Sequence, residues 1–345
     1  GQKYEPVDRD QLMYYKENQS GQLLQEGITE DGAMSSWIAA ATSYTNSGMQ
    51  MIPFYIFYSM FGFQRIGDLV WAAGDIQARG FLIGATSGRT TLNGEGLQHE
   101  DGHSQIMAGN VPNCISYDPT FSYELMVIIQ NGMERMFNKQ DNVFYYITTM
   151  NENYPHPGLR KGQEKNIIKG MYLLRKGKNG KTRVQLLGSG SILREAIAAA
   201  DLLSADFKVQ ADIWSCPSFN ELKRDGDEVS RWNLLHPDKK PRMSYVAQCL
   251  EKTDGPVIAA TDYVKLFADQ IRAYVPQSYT VLGTDGYGRS DSREALRKHF
   301  EVDRYYIAVA ALSALVEEGS ISAKTVNSAI KKYGIDPEKN NPLMS

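Results

Sequence analysis

Hydrophobic positions fall into short runs whose spacing alternates along the chain. From Thr29 to Tyr44 they recur at helical intervals, at Trp37, Ile38, Ala41 and Tyr44. Thr29 is suited to cap that helix and Ser47-Gly48 to end it. The segments 51–58 (MIPFYIFY), 81–86 (FLIGAT), 113–117 (NCISY) and 142–150 (NVFYYITTM) are short and rich in β-branched and aromatic residues, which predicts strands. Between the last two, Tyr123 to Phe137 predicts a helix with Leu125, Ile128, Ile129 and Met133 inward.

The pattern breaks at 151–163, where NENYPHPGLRKGQ has prolines, glycines and no apolar period, so the boundary between two domains, 1–158 and 159–345, is placed there. The alternation resumes with VQLLGSGS (184–191), a strand entering a glycine turn, and ILREAIAAADLL, the helix after it. ADIWSCPSF, PVIAATDY and YTVLGTDGYG supply further strand-and-turn units, and the last helix is predicted over Tyr305 to Glu317 on Ile307, Ala311 and Leu315. Strands alternating with helices predict an α/β fold with mainly parallel sheets. Gly188-Ser189-Gly190-Ser191 could hold a phosphate at a helix mouth, but it lacks the third glycine of a dinucleotide fingerprint and reads as a strand-to-helix turn. Asp285-Gly286-Tyr287-Gly288-Arg289 reads as an architectural turn with one well-placed arginine.

Composition narrows this picture. With 345 residues, 42% hydrophobic and 22% charged, the chain is an ordinary globular protein, and a net charge of −3 gives no case for nucleic acid or an anionic membrane. No apolar run approaches the roughly 20 residues of a membrane span, and the start carries no signal segment. Cys114, Cys216 and Cys249, odd in number and far apart, suit a reducing cytoplasm. The chain opens without an initiator methionine on linker-like sequence, as part of something longer would.

Chemistry concentrates in Ser87 to Ser104, SGRTTLNGEGLQHEDGHS, where four glycines, two histidines and three carboxylates share one run between apolar segments. Ionisable groups on a glycine-rich loop beside a buried scaffold serve a ligand more often than a solvated surface. His99-Glu100-Asp101-Gly102-His103 also fits H-E-x-x-H, but that zinc signature needs a helix, which the glycines disfavour, and no third ligand follows in Ser104 to Asn110. No metal ligand is therefore assigned. Glu30 opens the first helix, where a carboxylate could simply answer the helix dipole. Nearby, Tyr55, Phe57, Tyr58, Phe61 and Phe63 are too many aromatics for one strand face. They read as core, or as a flat pocket for a ring with a carboxylate at its side.

GITEDGAMSSWIAAA, FYIFYSMFGFQRIGDLVWAAGD, RGFLIGATSGRTTLNGEGLQHEDGHS and LGTDGYGRSDSREALRKHFEV together resemble the homodimeric bacterial pyruvate dehydrogenases, relatives of transketolase. The resemblance covers essentially the whole chain. It implies two consecutive three-layer α/β domains, a pyrimidine-binding domain and a transketolase C-terminal-like domain. In that family a further amino-terminal half holds the diphosphate of thiamine diphosphate and its magnesium through Gly-Asp-Gly, a motif this chain lacks. The resemblance therefore implies the carboxy-terminal part of a longer enzyme, inactive alone.

By resemblance, Glu30 hydrogen-bonds the pyrimidine nitrogen of the cofactor, driving its exocyclic amine to the imino form that deprotonates the thiazolium carbon. That carbon attacks pyruvate, carbon dioxide leaves, and the cofactor ring absorbs the electrons. Tyr58 and Phe61 wall the aminopyrimidine. His99 faces the reacting carbon to orient or protonate, Glu95 positions substrate, and Arg65 counters charge at the pocket. His103, Glu100 and Asp101 receive no role. The implied partners are a lipoyl-bearing dihydrolipoamide acetyltransferase, which accepts the acetyl group, a second copy of the chain, and the missing diphosphate-binding half. The second domain is expected to carry no cofactor and to support the subunit interface. The reading from another class is a non-catalytic binding module derived from such an enzyme.

Overall fold

The computed structural model describes residue 10 and residues 17–345. Its strands form two sheets. The first joins β1 (Phe54–Tyr58), β2 (Phe81–Ala85), β3 (Cys114–Tyr117) and β4 (Phe144–Thr148) in the order β1-β2-β4-β3, every pair parallel. β3 and β4 are buried end to end. Burial on both faces is why their sequences read as unbroken apolar runs.

β1 is an edge and alternates instead, with Tyr55 and Phe57 turned inward and Phe54, Ile56 and Tyr58 exposed. It begins at Phe54, later than the segment 51–58 predicts. Pro53 has no amide hydrogen for the ladder, and only its carbonyl takes part, accepting the Phe81 N–H at 2.9 Å. The dense aromatic run is divided between two elements: Phe61 and Phe63 lie on the helix Ser59–Asp75, which starts directly after β1. The helix anticipated at 123–137 runs Ser122–Met133 and then widens into a π turn, Glu134–Asn138. Gly132 of that helix lies against the rings of Phe81 and Tyr145.

The second sheet joins β5 (Tyr172–Arg175), β6 (Arg183–Gly188), β7 (Gln210–Ser215), β8 (Val257–Ala260) and β9 (Tyr279–Leu282) in the order β5-β7-β6-β8-β9. All pairs are parallel except β5 with β7. Successive side chains enter opposite cores. Leu186, Ile213 and Ile258 pack with the helices Ile192–Phe207 and Arg304–Glu317, while Leu187, Trp214 and Ala259 pack with Phe219–Leu235 and Tyr245–Leu250. Helices on both faces make the sheet the middle of three layers, as the α/β reading requires. Arg304–Glu317 is not the last helix, since Ala323–Lys332 follows it. Only Ala329 of that helix is fully buried, but Val326, Ala329, Ile330 and Tyr333 recur at helical spacing, and Val326 and Tyr333 pack on the same core, so the helix is legible in the sequence. No helix among the described residues is long and apolar enough to cross a membrane.

The two sheets meet at the carboxyl ends of β6 and β8, where the strand order reverses and α/β folds ordinarily bind ligands. Side chains from the first half fill that crevice. Ser189 Oγ donates to Asp118 Oδ2 at 2.9 Å, and the Gly190 N–H donates to the Asp118 carbonyl at 3.1 Å. Thr90 donates its N–H and its hydroxyl to Asp262 at 3.1 and 2.7 Å. Gly190 has φ 50°, and a Cβ there would stand 2.5 Å from Asp118. The glycine turn is architectural: the Asp118 carbonyl takes its Gly190 amide and the Asp118 carboxyl its Ser189 hydroxyl.

Candidate active site

Thr29 caps the helix Glu30–Ala41, its Oγ1 accepting the Gly32 N–H at 3.3 Å, and this puts Glu30 at the first helical position. That helix packs on Ser59–Asp75. Arg65, in the latter helix, donates from Nη1 to Glu30 Oε1 at 2.7 Å and lies 4.4 Å over the Phe61 ring. Phe61 meets the His99 ring edge-on at 5.0 Å, and Tyr58, at the end of β1, lies 5.2 Å from it. His99 Nδ1 stands 3.3 Å from the Gly96 carbonyl and 3.9 Å from Glu95 Oε2. The six residues singled out from the sequence, Glu30, Tyr58, Phe61, Arg65, Glu95 and His99, form one continuous cluster.

The cluster lies on an open face. Tyr58 and Arg65 are about half exposed, and Ile28, Ile56 and Leu97 add exposed apolar surface beside it. Glu30 presents one oxygen to Arg65, and the other makes no hydrogen bond among the described residues. A carboxylate with an available oxygen, next to aromatic faces and an imidazole, suits a planar nitrogenous ring that exchanges a proton.

Tyr55 belongs to this neighbourhood although the sequence singled it out only as one of an aromatic run. Burial, reinforced by the carboxylates of Glu30 and Asp31, pushes its hydroxyl up to about 12. A tyrosine at an inward β1 position beside an acidic helix start is the pattern that marks it.

The loop Ser87–Ser104 is not a helix over its histidines. Leu97–His99 is a single 3-10 turn, Glu100 is extended, and His103 precedes the helix Ser104–Asn110. His99 and His103 therefore share no helix face. Among the described residues no group of three His, Cys, Asp or Glu side chains is placed to hold a metal. Asp101 works inside the loop: its Oδ1 accepts the His103 and Ser104 N–H groups at 2.9 Å each, and its Oδ2 accepts the Ser104 hydroxyl. Glu100 is fully buried, and burial pushes its carboxyl up to about 8 against the opposing pull of the Arg289 N–H, which donates to it at 2.8 Å. A separate cavity of about 240 Å³ lies by Lys265, Asp285, Glu301 and Lys339, and shares no residue with the cluster. Lys339 is already held there by the His299 carbonyl and Glu301.

Residues 1–157 match the family described as the pyruvate dehydrogenase E1 component middle domain, and residues 170–303 match the transketolase-like C-terminal domain. The chain is 63% identical to the pyruvate dehydrogenase E1 component of Cupriavidus necator, covering 99% of this chain and 38% of that protein. It is 64% identical to that of Pseudomonas aeruginosa, covering 99% and 39%, and 60% identical to that of Escherichia coli K12, covering 100% and 39%. Among solved structures, Leishmania mexicana transketolase superposes with a TM-score of 0.61 at 15% identity over 84% of this chain and 37% of that one. A split-gene transketolase, described as an inactive beta4 tetramer, superposes at 0.59 with 16% identity over 84% and 83%. These two likenesses establish the transketolase-like α/β fold.

Proposed function

From the premise that the chain belongs to the pyruvate dehydrogenase E1 component family, of whose curated members it spans about two fifths, we propose that it supplies the pyrimidine side of a thiamine diphosphate site. The diphosphate and its magnesium are then held by sequence outside this chain, which contains no Gly-Asp-Gly. The complete enzyme decarboxylates pyruvate and passes the acetyl unit to a lipoyl group on a dihydrolipoamide acetyltransferase. It acts in the cytoplasm as a homodimer within a multienzyme complex. Residues 1–158 form the pyrimidine-binding domain and 159–345 the C-terminal domain.

The observation that carries this reading is the continuity of Glu30, Arg65, Phe61, Tyr58, His99 and Glu95 across three chain segments. The residues fit the cofactor's aminopyrimidine: Glu30 has an oxygen left for a ring nitrogen, and Tyr58 and Phe61 offer half-open faces beside it. When bound, the cofactor supplies the nucleophilic carbon and the electron sink. Glu30 holds the proton at the ring nitrogen. Arg65 keeps the Glu30 side chain aimed by taking its other oxygen. Tyr58 and Phe61 exclude water from one face of the ring and pin the His99 imidazole against them. His99 exchanges a proton with the oxygen of the bound keto acid, and Glu95, 3.9 Å away, orients that imidazole. The test is Glu30→Gln in the full-length enzyme. Decarboxylation should fall steeply while the melting temperature holds, and near-normal turnover would remove Glu30 from the mechanism.

A further inference from the structure

The loop that carries His99 is held mainly by the other half of the chain. Arg293 Nε donates to the Thr91 carbonyl at 2.8 Å, the Gly94 N–H donates to the Asp291 carbonyl at 3.1 Å, and the Val264 N–H donates to the Gly102 carbonyl at 2.8 Å. Between these ties sits the histidine turn itself. It closes through the His99 N–H to the Gly96 carbonyl at 2.9 Å, and its next residue, Glu100, reaches the Arg289 N–H. Gly288 lies directly against this turn. A Cβ at 288 would run into the Leu97 carbonyl oxygen and approach Glu100 Cβ to 2.9 Å. Gly288 has no positive φ, so the position demands glycine for space and not for backbone conformation.

We propose that Gly288 and Glu100 are positioning residues of the candidate active site, through which the C-terminal half sets where the His99 imidazole stands. The turn Asp285–Arg289, which follows β9, is thereby more than a connection between elements. Glu100 lies next in sequence to His99 but points away from the aromatic shelf, into the second half, where its Oε2 accepts one backbone N–H and its Oε1 finds no partner. A side chain spent on an amide of the other half, fully buried, fastens the backbone of the turn and leaves the imidazole free for substrate. The proposal rests on the role given to His99 above, and a misplacement of about 1 Å there is enough to cost roughly 10²-fold in rate.

The test uses the full-length enzyme. Gly288→Ala and Glu100→Ala should each lower kcat for pyruvate by ~10–100-fold with little change in cofactor affinity. Glu100→Gln keeps an acceptor for the Arg289 N–H and should restore most of the rate. Combined with His99→Ala, Glu100→Ala should add nothing further, because both act through one imidazole. A full additional loss in that background, or a Gln variant as impaired as the Ala variant, would overturn the proposal. If His99→Ala itself turned over normally, the reading of His99 would fail. The positioning claim is then decided by the crystal structure of Gly288→Ala. Displacement of the His99 ring from Tyr58 and Phe61 supports it, and an unmoved ring sinks it. Should Gly288→Ala not fold, the same crystallographic comparison is made on Glu100→Ala.

Discussion

Glu30 occupies a position where an acidic residue is unremarkable, and only its partners separate a helix-dipole carboxylate from a working one. An exposed ion pair such as that with Arg65 contributes about 0–1 kcal/mol, so stability alone gives little reason for the arrangement. Glu30→Ala in the full-length enzyme should therefore cut pyruvate decarboxylation by ~10²–10⁴-fold while shifting the melting temperature by no more than a few degrees, about 1 kcal/mol in a protein of this size. Steady-state kinetics beside a thermal melt checks both halves of that statement. His99→Ala should lose ~10²-fold in kcat yet titrate with thiamine diphosphate as the parent does. A drop in cofactor affinity equal to the drop in rate would make His99 a binding residue instead. The residue scale is also where the sequence is most legible. Residue type, glycine-rich surroundings and family resemblance mark Glu30, Tyr58, Phe61, Glu95 and His99 before any geometry is known. Their meeting is not visible there, because Arg65 and Glu30 are distant in sequence and joined only by the packing of two helices.

At the scale of elements, strands buried on both faces were readable as apolar runs, and amphipathic helices with clear caps were readable from their period. The elements that escaped have physical reasons. Pro53 shortens β1, and the helix Ser59–Asp75 lies beneath an aromatic run that dominates its own periodicity. Ala323–Lys332, by contrast, was legible, since Val326, Ala329, Ile330 and Tyr333 recur at helical spacing. The turn Gly188–Ser191 reads alike whether a phosphate or part of the chain itself faces its helix start, because the sequence does not show what approaches it. Asp118 fills it here, so Gly190→Ala meets both a strained backbone and a collision. It should lower stability by about 1–3 kcal/mol, read as a reduced unfolding midpoint. A variant as stable as the parent would mean that the turn and Asp118 can separate freely.

For the whole molecule, the junction between the halves is polar and buried, and it carries a pH signature. Burial pushes Asp118 up to about 7 and Asp262 up to about 6, and Glu100, across the same junction, up to about 8. Each of these carboxyls keeps its proton in the folded state at pH values where the unfolded chain, titrating near 4, has released it. The folded state then binds more protons, so stability is full below about pH 4 for these groups and is lost as pH rises toward 8. Glu152 and Glu195, lowered by Arg297, Arg194 and Arg304 after burial opposes them, act the other way, but their contribution is already complete above the ordinary glutamate range. Melting temperature should therefore decline between pH 5 and pH 8. Asp118→Asn should flatten the decline, and an unchanged slope would show that Asp118 titrates normally. This junction lay beyond the sequence, because buried carboxylates look like any others until their neighbours are known.

The same junction gives the C-terminal half a task at the candidate site, since it grips the loop that carries the candidate histidine. The central claim, that this chain holds one side of a divided cofactor site, is tested most directly by calorimetric titration of thiamine diphosphate with magnesium. The chain alone and the full-length enzyme would be titrated side by side. No measurable binding to the chain alone is expected, and binding by the full-length enzyme that Glu30→Ala weakens. Tight, magnesium-dependent binding to the isolated chain would contradict it.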